Sequence, residues 1–199
     1  MPKQLSASTK EKIMRAAAKL FSESGFSKVS TRNIASAVGI NAATIYYYFP
    51  SKEEILRSLY DFYSNERLKI LPNIDELLVY AEIEPVQTVL MRSIFYYGED
   101  IREFLDQIII TATRQIESDE ASKNFIQENI FEPIYLVLKP LIQRLIDLGK
   151  IEPFDLESFI SVFKYYCYAA ASLNNSSFGN DVARYETDVA LLFSYIKPI

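Results

Sequence analysis

The chain contains no histidine. Histidine general acid–base catalysis, Ser–His and Cys–His nucleophilic pairs and the Glu-x-x-His iron sites of helical bundles are therefore excluded. One cysteine, Cys167, can form neither an internal disulfide nor a paired-cysteine metal site. Glycine is scarce, at five residues, and no glycine-rich phosphate loop is present. No window approaches the roughly 18 uninterrupted apolar residues of a membrane-spanning helix. Residues Met1 to Lys12 are polar, unlike a signal peptide. Together these absences argue against an enzyme, a metal or cofactor and a membrane partner, and we expect a cytoplasmic location.

What is present favours helix. Of 199 residues, 49% are hydrophobic, and Leu, Ile, Ala, Glu and Lys are common. No segment has the alternation of a strand. The formal net charge of −5 hides an asymmetry. Residues Met1 to Arg57 hold nine Lys/Arg against four Asp/Glu, whereas the remainder holds twelve against twenty-two. A basic head on an acidic body fits a polyanion partner for the head alone, unless the split is chance variation.

Local signals place the elements. Ser8-Thr9-Lys10-Glu11 has capping-box spacing, and Ile13, Ala16, Ala17, Leu20 and Phe21 follow at helical intervals until Gly25. A short second helix begins at Ser30 or Thr31 and ends at Gly39. Asn41 can cap a third that meets Pro50, and Ser51 can cap a fourth that continues to Pro72. Three helices within some fifty residues, the last two joined by a tight glycine turn, make a helix-turn-helix pattern. Residues 72 to 84 read as a connection with at most a short helix. Further helices are expected from Pro85 to Tyr97, Asp100 to Glu117, Asp119 to Leu148, Asp155 to Leu173 and Val182 to Ile196. Pro133 and Pro140 should bend or break the third of these.

The stretch Asn41-Ala42-Ala43-Thr44-Ile45-Tyr46-Tyr47-Tyr48-Phe49 is the least ordinary. As a helix it turns Ile45 and Phe49 inward and Ala42, Ala43 and Tyr46 outward, with Tyr47 beside Ala43 and Thr44. Short side chains in the first turn let the backbone approach something bulky, and a helix N-terminus favours phosphate. Phenol hydroxyls donate to phosphate without carrying charge. A second helix of a helix-turn-helix pair would lay this turn against base edges in a major groove.

Residues Thr31 to Leu56 resemble the DNA-binding domain of the TetR family of bacterial transcriptional regulators. They carry Thr31, Ile34-Ala35, a turn with Gly39, a helix ending Tyr46-x-x-Phe49, then Lys52 and Leu56. The resemblance covers about residues 8 to 57, and Ala43 stands where the family often has Gly. It implies phosphate contacts from Thr31, Thr44, Tyr47, Tyr48 and Lys52, and base contacts from Arg32, Ala42, Ala43 and Tyr46. Tyr48 could equally pack between helices, Lys52 could be a solvated charge, and Arg32 could pair with a nearby Glu.

The resemblance also implies an all-α chain. A helix-turn-helix DNA-binding domain (residues 1–52) would be joined to a larger helical ligand-binding and dimerisation domain (residues 53–199). Its expected partners are a double-stranded DNA operator, a second copy of the chain, and a small-molecule effector. Candidates to line an effector pocket are Tyr63, Phe95, Tyr96, Phe104, Ile108, Phe131, Tyr135, Phe163 and Tyr166, with Arg114 and Asn174 as polar members. The last two helices would form the homodimer seam through Phe163, Tyr166, Ala170, Leu192, Phe193 and Ile196. The alternatives are a stripe buried inside one subunit, aromatic residues that are plain core, a regulator of this family without a small-molecule inducer, and a helical-bundle enzyme or carrier.

Overall fold

The computed structural model describes residues 8–93, 99–173 and 182–199, without the side chains of residues 99, 100, 170–173 and 182–186. The described residues form eleven α-helices: α1 (Thr9–Ser24), α2 (Thr31–Val38), α3 (Ala42–Tyr48), α4 (Lys52–Leu68), α5 (Ile74–Ile83), α6 (Val86–Arg92), α7 (Glu99–Gln115), α8 (Glu120–Ile126), α9 (Glu132–Asp147), α10 (Leu156–Leu173) and α11 (Val182–Ser194). A 3-10 turn, Phe26–Lys28, precedes α2, and a π-helical turn, Gln127–Phe131, joins α8 to α9. The extended pairing among the described residues is one isolated bridge between Ile151 and Pro198. The all-α expectation holds.

Capping chemistry sets the helix starts. The side chains of Ser8, Asn41, Ser51 and Asp119 each accept a bond from the backbone N–H three residues on. At Ser30 the box is reciprocal: the hydroxyl accepts from Asn33 N while Asn33 Oδ1 accepts from Ser30 N at 2.8 Å. Gly39, at φ 75°, ends α2 in the left-handed region that side chains avoid, and so makes the tight turn into α3 possible.

Two expectations needed correction. Residues 74–83 form a full ten-residue helix, α5, capped by Asn73 and held through buried Leu77 and Ala81. Of the two prolines, only Pro133 has a distorted turn before it. It has no N–H for the Asn129 carbonyl, and the preceding turn widens so that Glu132 N bonds Gln127 O. Pro140 lies inside an uninterrupted α9. The carbonyl it leaves without its N–H partner belongs to Leu136, an exposed residue.

Buried side chains form two clusters. The first joins Ile13, Phe21, Ile34, Ile45 and Phe49 of the N-terminal helices to Leu59 of α4, Phe104, Leu105 and Ile108 of α7, and Phe125 of α8. The second joins α5, α6, α9, α10 and α11. The first has consequences for any movement of the head, because α1 lies directly along α7. Arg15 sits 4.7 Å from the Phe104 ring centre, and Arg114 of α7 donates to the Ser22 carbonyl. Helix α4 is latched to the next layer at two further points. Its Tyr60 hydroxyl lies 2.7 Å from Ser122 Oγ, and Arg67 Nε donates to Asn129 Oδ1 at 3.1 Å, inside the π-helical turn.

One carboxylate in this layer carries a pH signature. Asp106 is half-buried on α7, and burial pushes its carboxyl up to about 6, with Arg102 pulling it down and Glu103 pushing it up. A folded-state value above the unfolded one means that the protonated acid suits the fold. Its contribution is present in full below about pH 4 and is lost as pH rises through about 6. Asp106→Asn is therefore expected to raise the melting temperature at pH 8 and to change it little at pH 4. Calorimetry at both pH values checks this, and an equal gain at the two would contradict it.

Candidate nucleic-acid interface

Helix α3 is short, and its footing comes from two residues. Ile45 and Phe49 are 0% and 1% exposed, whereas Tyr46 and Tyr47 are 54% and 82% exposed. Ala43 is exposed on the same side, three and four residues before them. Ala42 leans instead against the core, and Tyr48 is half-buried, edge-on to Tyr47 at 5.0 Å. The outward face of α3 is thus Ala43, Tyr46 and Tyr47: one short side chain beside two phenols.

Several expected contact residues also bond within the head. Thr31 Oγ1 lies 3.2 Å from Tyr46 Oη, which ties α2 to α3. Asn41 Oδ1 caps α3 and accepts from the Thr44 hydroxyl at 3.0 Å. Arg32 is exposed in the first turn of α2, with no hydrogen-bond or ion-pair partner among the described residues. The possible pairing with a nearby Glu is not formed.

An open cleft of about 530 Å³ runs beside α3, between the 3-10 turn and the first turns of α2 and α4. Thr31, Tyr46, Ser51 and Lys52 line it, with Glu53 as its carboxylate. Ser27 and Lys28 line it too, and the sequence reading passed over both. The available signal was a lysine between the stop at Gly25 and the cap at Ser30. Lys52 is half-buried and donates to the carbonyls of Phe26 at 2.8 Å and Val29 at 2.9 Å.

Residues 13–59 match the family model of bacterial regulatory proteins, tetR family. They thus carry a tetR-family regulatory domain. Over 118 residues the chain is 32% identical to an uncharacterized HTH-type transcriptional regulator, YerO, of Bacillus subtilis; that stretch is 58% of this chain and 40% of the relative. The chain thus spans less than half the length of that curated relative. Among solved structures, the ketosteroid transcriptional regulator KstR2 of Mycobacterium tuberculosis aligns at a TM-score of 0.59 and 16% identity over 96% of this chain and 95% of that one. PfmR of Thermus thermophilus aligns at 0.58 and 21% over 92% and 94%. At such identities the likeness concerns the fold, and it runs through the body as well as the head.

In the helical body the expected pocket residues divide between the two clusters. Tyr63, Phe104 and Ile108 are buried in the first, and Phe131 packs on it with its ring 5.8 Å from Tyr168. Phe163 is buried in the second, and Tyr166 packs on it and donates to Asp188 at 3.1 Å. Tyr135 lies under Lys139 and Lys164 near the surface. Arg114 is bound to α1 as described. Phe95, Tyr96 and Asn174 lie outside the described residues.

Of the residues expected at the dimer seam, Phe163, Phe193 and Ile196 are covered within the protomer. Phe163 stacks on Phe193 at 5.4 Å, and with Ile196 both are 4% exposed or less. Their surface is consumed inside the protomer, which is the alternative weighed for this stripe. Leu192 is half-buried, and the Ala170 side chain lies outside the described residues. Among the described residues, the large apolar side chains left open on α10, on α11 and directly after it are Val162, Tyr165, Leu191 and Tyr195, at 57%, 70%, 56% and 72% exposed. Among the described residues no helix is long and apolar enough to cross a membrane.

Proposed function

We propose that the protein is a dimeric transcriptional repressor. Two copies pair through the open apolar faces of α10 and α11 and set two α3 helices into successive major grooves of a palindromic DNA operator. In this reading Ala43 lets α3 enter the groove and Tyr46 and Arg32 reach base edges. Tyr47, Tyr48, Thr31 and Thr44 hold phosphates, and Asn41 and Ala42 shape the first turn. The supporting observation is the division of α3 into a fully buried anchor and an outward face of one alanine and two exposed tyrosines. A small, largely apolar ligand in the body would release the operator by altering the separation of the two heads, about 34–36 Å for adjacent turns. Helix α4 is the mechanical link, because it touches both parts. The reading assigns the chain no enzymatic reaction and a place in the cytoplasm.

A second reading, a regulator with no small-molecule inducer, draws on the division of the expected pocket residues between two cores. Ligand-dependent melting shifts separate the two: a stabilising ligand favours the first and weakens the second.

The test of operator reading is Arg32→Ala. A bidentate Arg–guanine pair discriminates by about 1–3 kcal/mol. The variant is expected to lose its preference at one base position per half-site while keeping the others. Binding-site selection on a random duplex library measures this, and an unchanged preference would contradict the role.

A further inference from the structure

Lys52 is the first residue of α4, directly after its Ser51 cap. A cation there opposes the helix dipole, whose N-terminal end is itself positive. The side chain resolves that conflict by folding away from its own helix. Its ammonium meets the carbonyls of Phe26 and Val29, the first residue of the 3-10 turn and the residue that follows that turn, and sits 4.1 Å from the Phe26 ring centre. Two of its three N–H groups are thereby directed at backbone oxygens 26 and 23 residues earlier in the chain. Lys28, in the same cleft, is exposed.

What those carbonyls control is the entry into α2. Val29 is 4% exposed, so its side chain is anchored in the core while its carbonyl is held by Lys52. The next residue is the Ser30 cap, and Arg32 follows in the first turn of α2. Resting on the DNA-binding reading above, we propose that Lys52 is a positioning residue that fixes the start of α2, and so the reach of Arg32, and that the free phosphate-facing cation of this cleft is Lys28. This departs from the phosphate contact that family resemblance implies for Lys52.

The two roles separate by salt dependence and by coupling. A lysine that neutralises a phosphate adds about 0.9 to the slope of log affinity against log salt, so two copies in a dimer add about 1.8. On the duplex selected by the wild-type protein, Lys28→Gln is expected to lower the slope by about that amount. Lys52→Met is expected to leave the slope unchanged and to weaken the selected duplex at least tenfold more than a scrambled one. Because its effect runs through Arg32, that loss should shrink in an Arg32→Ala background. A slope lowered by Lys52→Met, or losses that simply add, would overturn the proposal.

A measurement without DNA or a variant keeps the test open if Lys52→Met fails to fold. In limited acetylation by acetic anhydride, Lys52 of the wild-type protein should react at least tenfold more slowly than Lys28. Equal rates overturn the proposal. Slow labelling of Lys52 in a protein that binds no duplex would instead overturn the operator reading, and with it the role assigned to Arg32.

Discussion

Leu191→Glu is expected to give a monomer that has lost at least a hundredfold in operator affinity. Leu191 is 56% exposed on α11, one turn from Tyr195, while its neighbours Val189 and Phe193 are buried inside the protomer. A carboxylate on an exposed site changes the stability of a single subunit by only about 0.5 kcal/mol or less. Placed in an apolar seam between two copies it must be desolvated without a partner, which is far more costly. Loss of the seam removes the second half-site contact as an intramolecular event, and such linkage is commonly worth about 10²–10⁴ in avidity. Sedimentation and a gel shift on the selected duplex check both parts. A variant that still sediments as a dimer would place the seam elsewhere.

Phe49→Ala is expected to destabilise the whole protein, not the head alone. Truncating a buried Phe costs about 3–5 kcal/mol, and Phe49 is 1% exposed. For a chain of this size each kcal/mol lowers the melting temperature by about 2–4 °C, giving a drop of roughly 6–20 °C. The cluster that holds Phe49 continues through α1 and α4 into Phe104, Leu105 and Ile108 of α7. Head and body should therefore melt in one transition, in the wild type as in the variant. An early, separate transition that leaves the body folded would contradict the continuity of this core.

The ends of the helices were legible in the sequence because their signals are local. Ser8, Ser30, Asn41, Ser51 and Asp119 cap from within three residues, and Gly39 must turn the chain whatever lies around it. Helix α5 was harder to see. Its run Ile74 to Ile83 is apolar on nearly every side, so no single face announces itself, although the Asn73 cap was there to be read.

The face of α3 was legible for a related reason: a helix of two turns with Ile45 and Phe49 four apart has only one way in. Helices α10 and α11 have no such phase. Phe163 and Tyr165, or Leu191 and Phe193, are equally apolar in sequence, and the packing of α10 on α7 and α9 and of α11 on α6 decides which of each pair is covered. The partners of Lys52 are backbone carbonyls more than twenty residues away, and a carbonyl has no sequence signature.

The most direct test of the central claim is dimethyl sulfate footprinting of the wild-type protein on a duplex it has selected. Two protected patches of guanine N7, related by the two-fold axis of the site and centred about 10 base pairs or a multiple apart, are expected if paired α3 helices lie in major grooves. Protection absent from the major groove, or a single patch without its symmetry mate, would contradict the account.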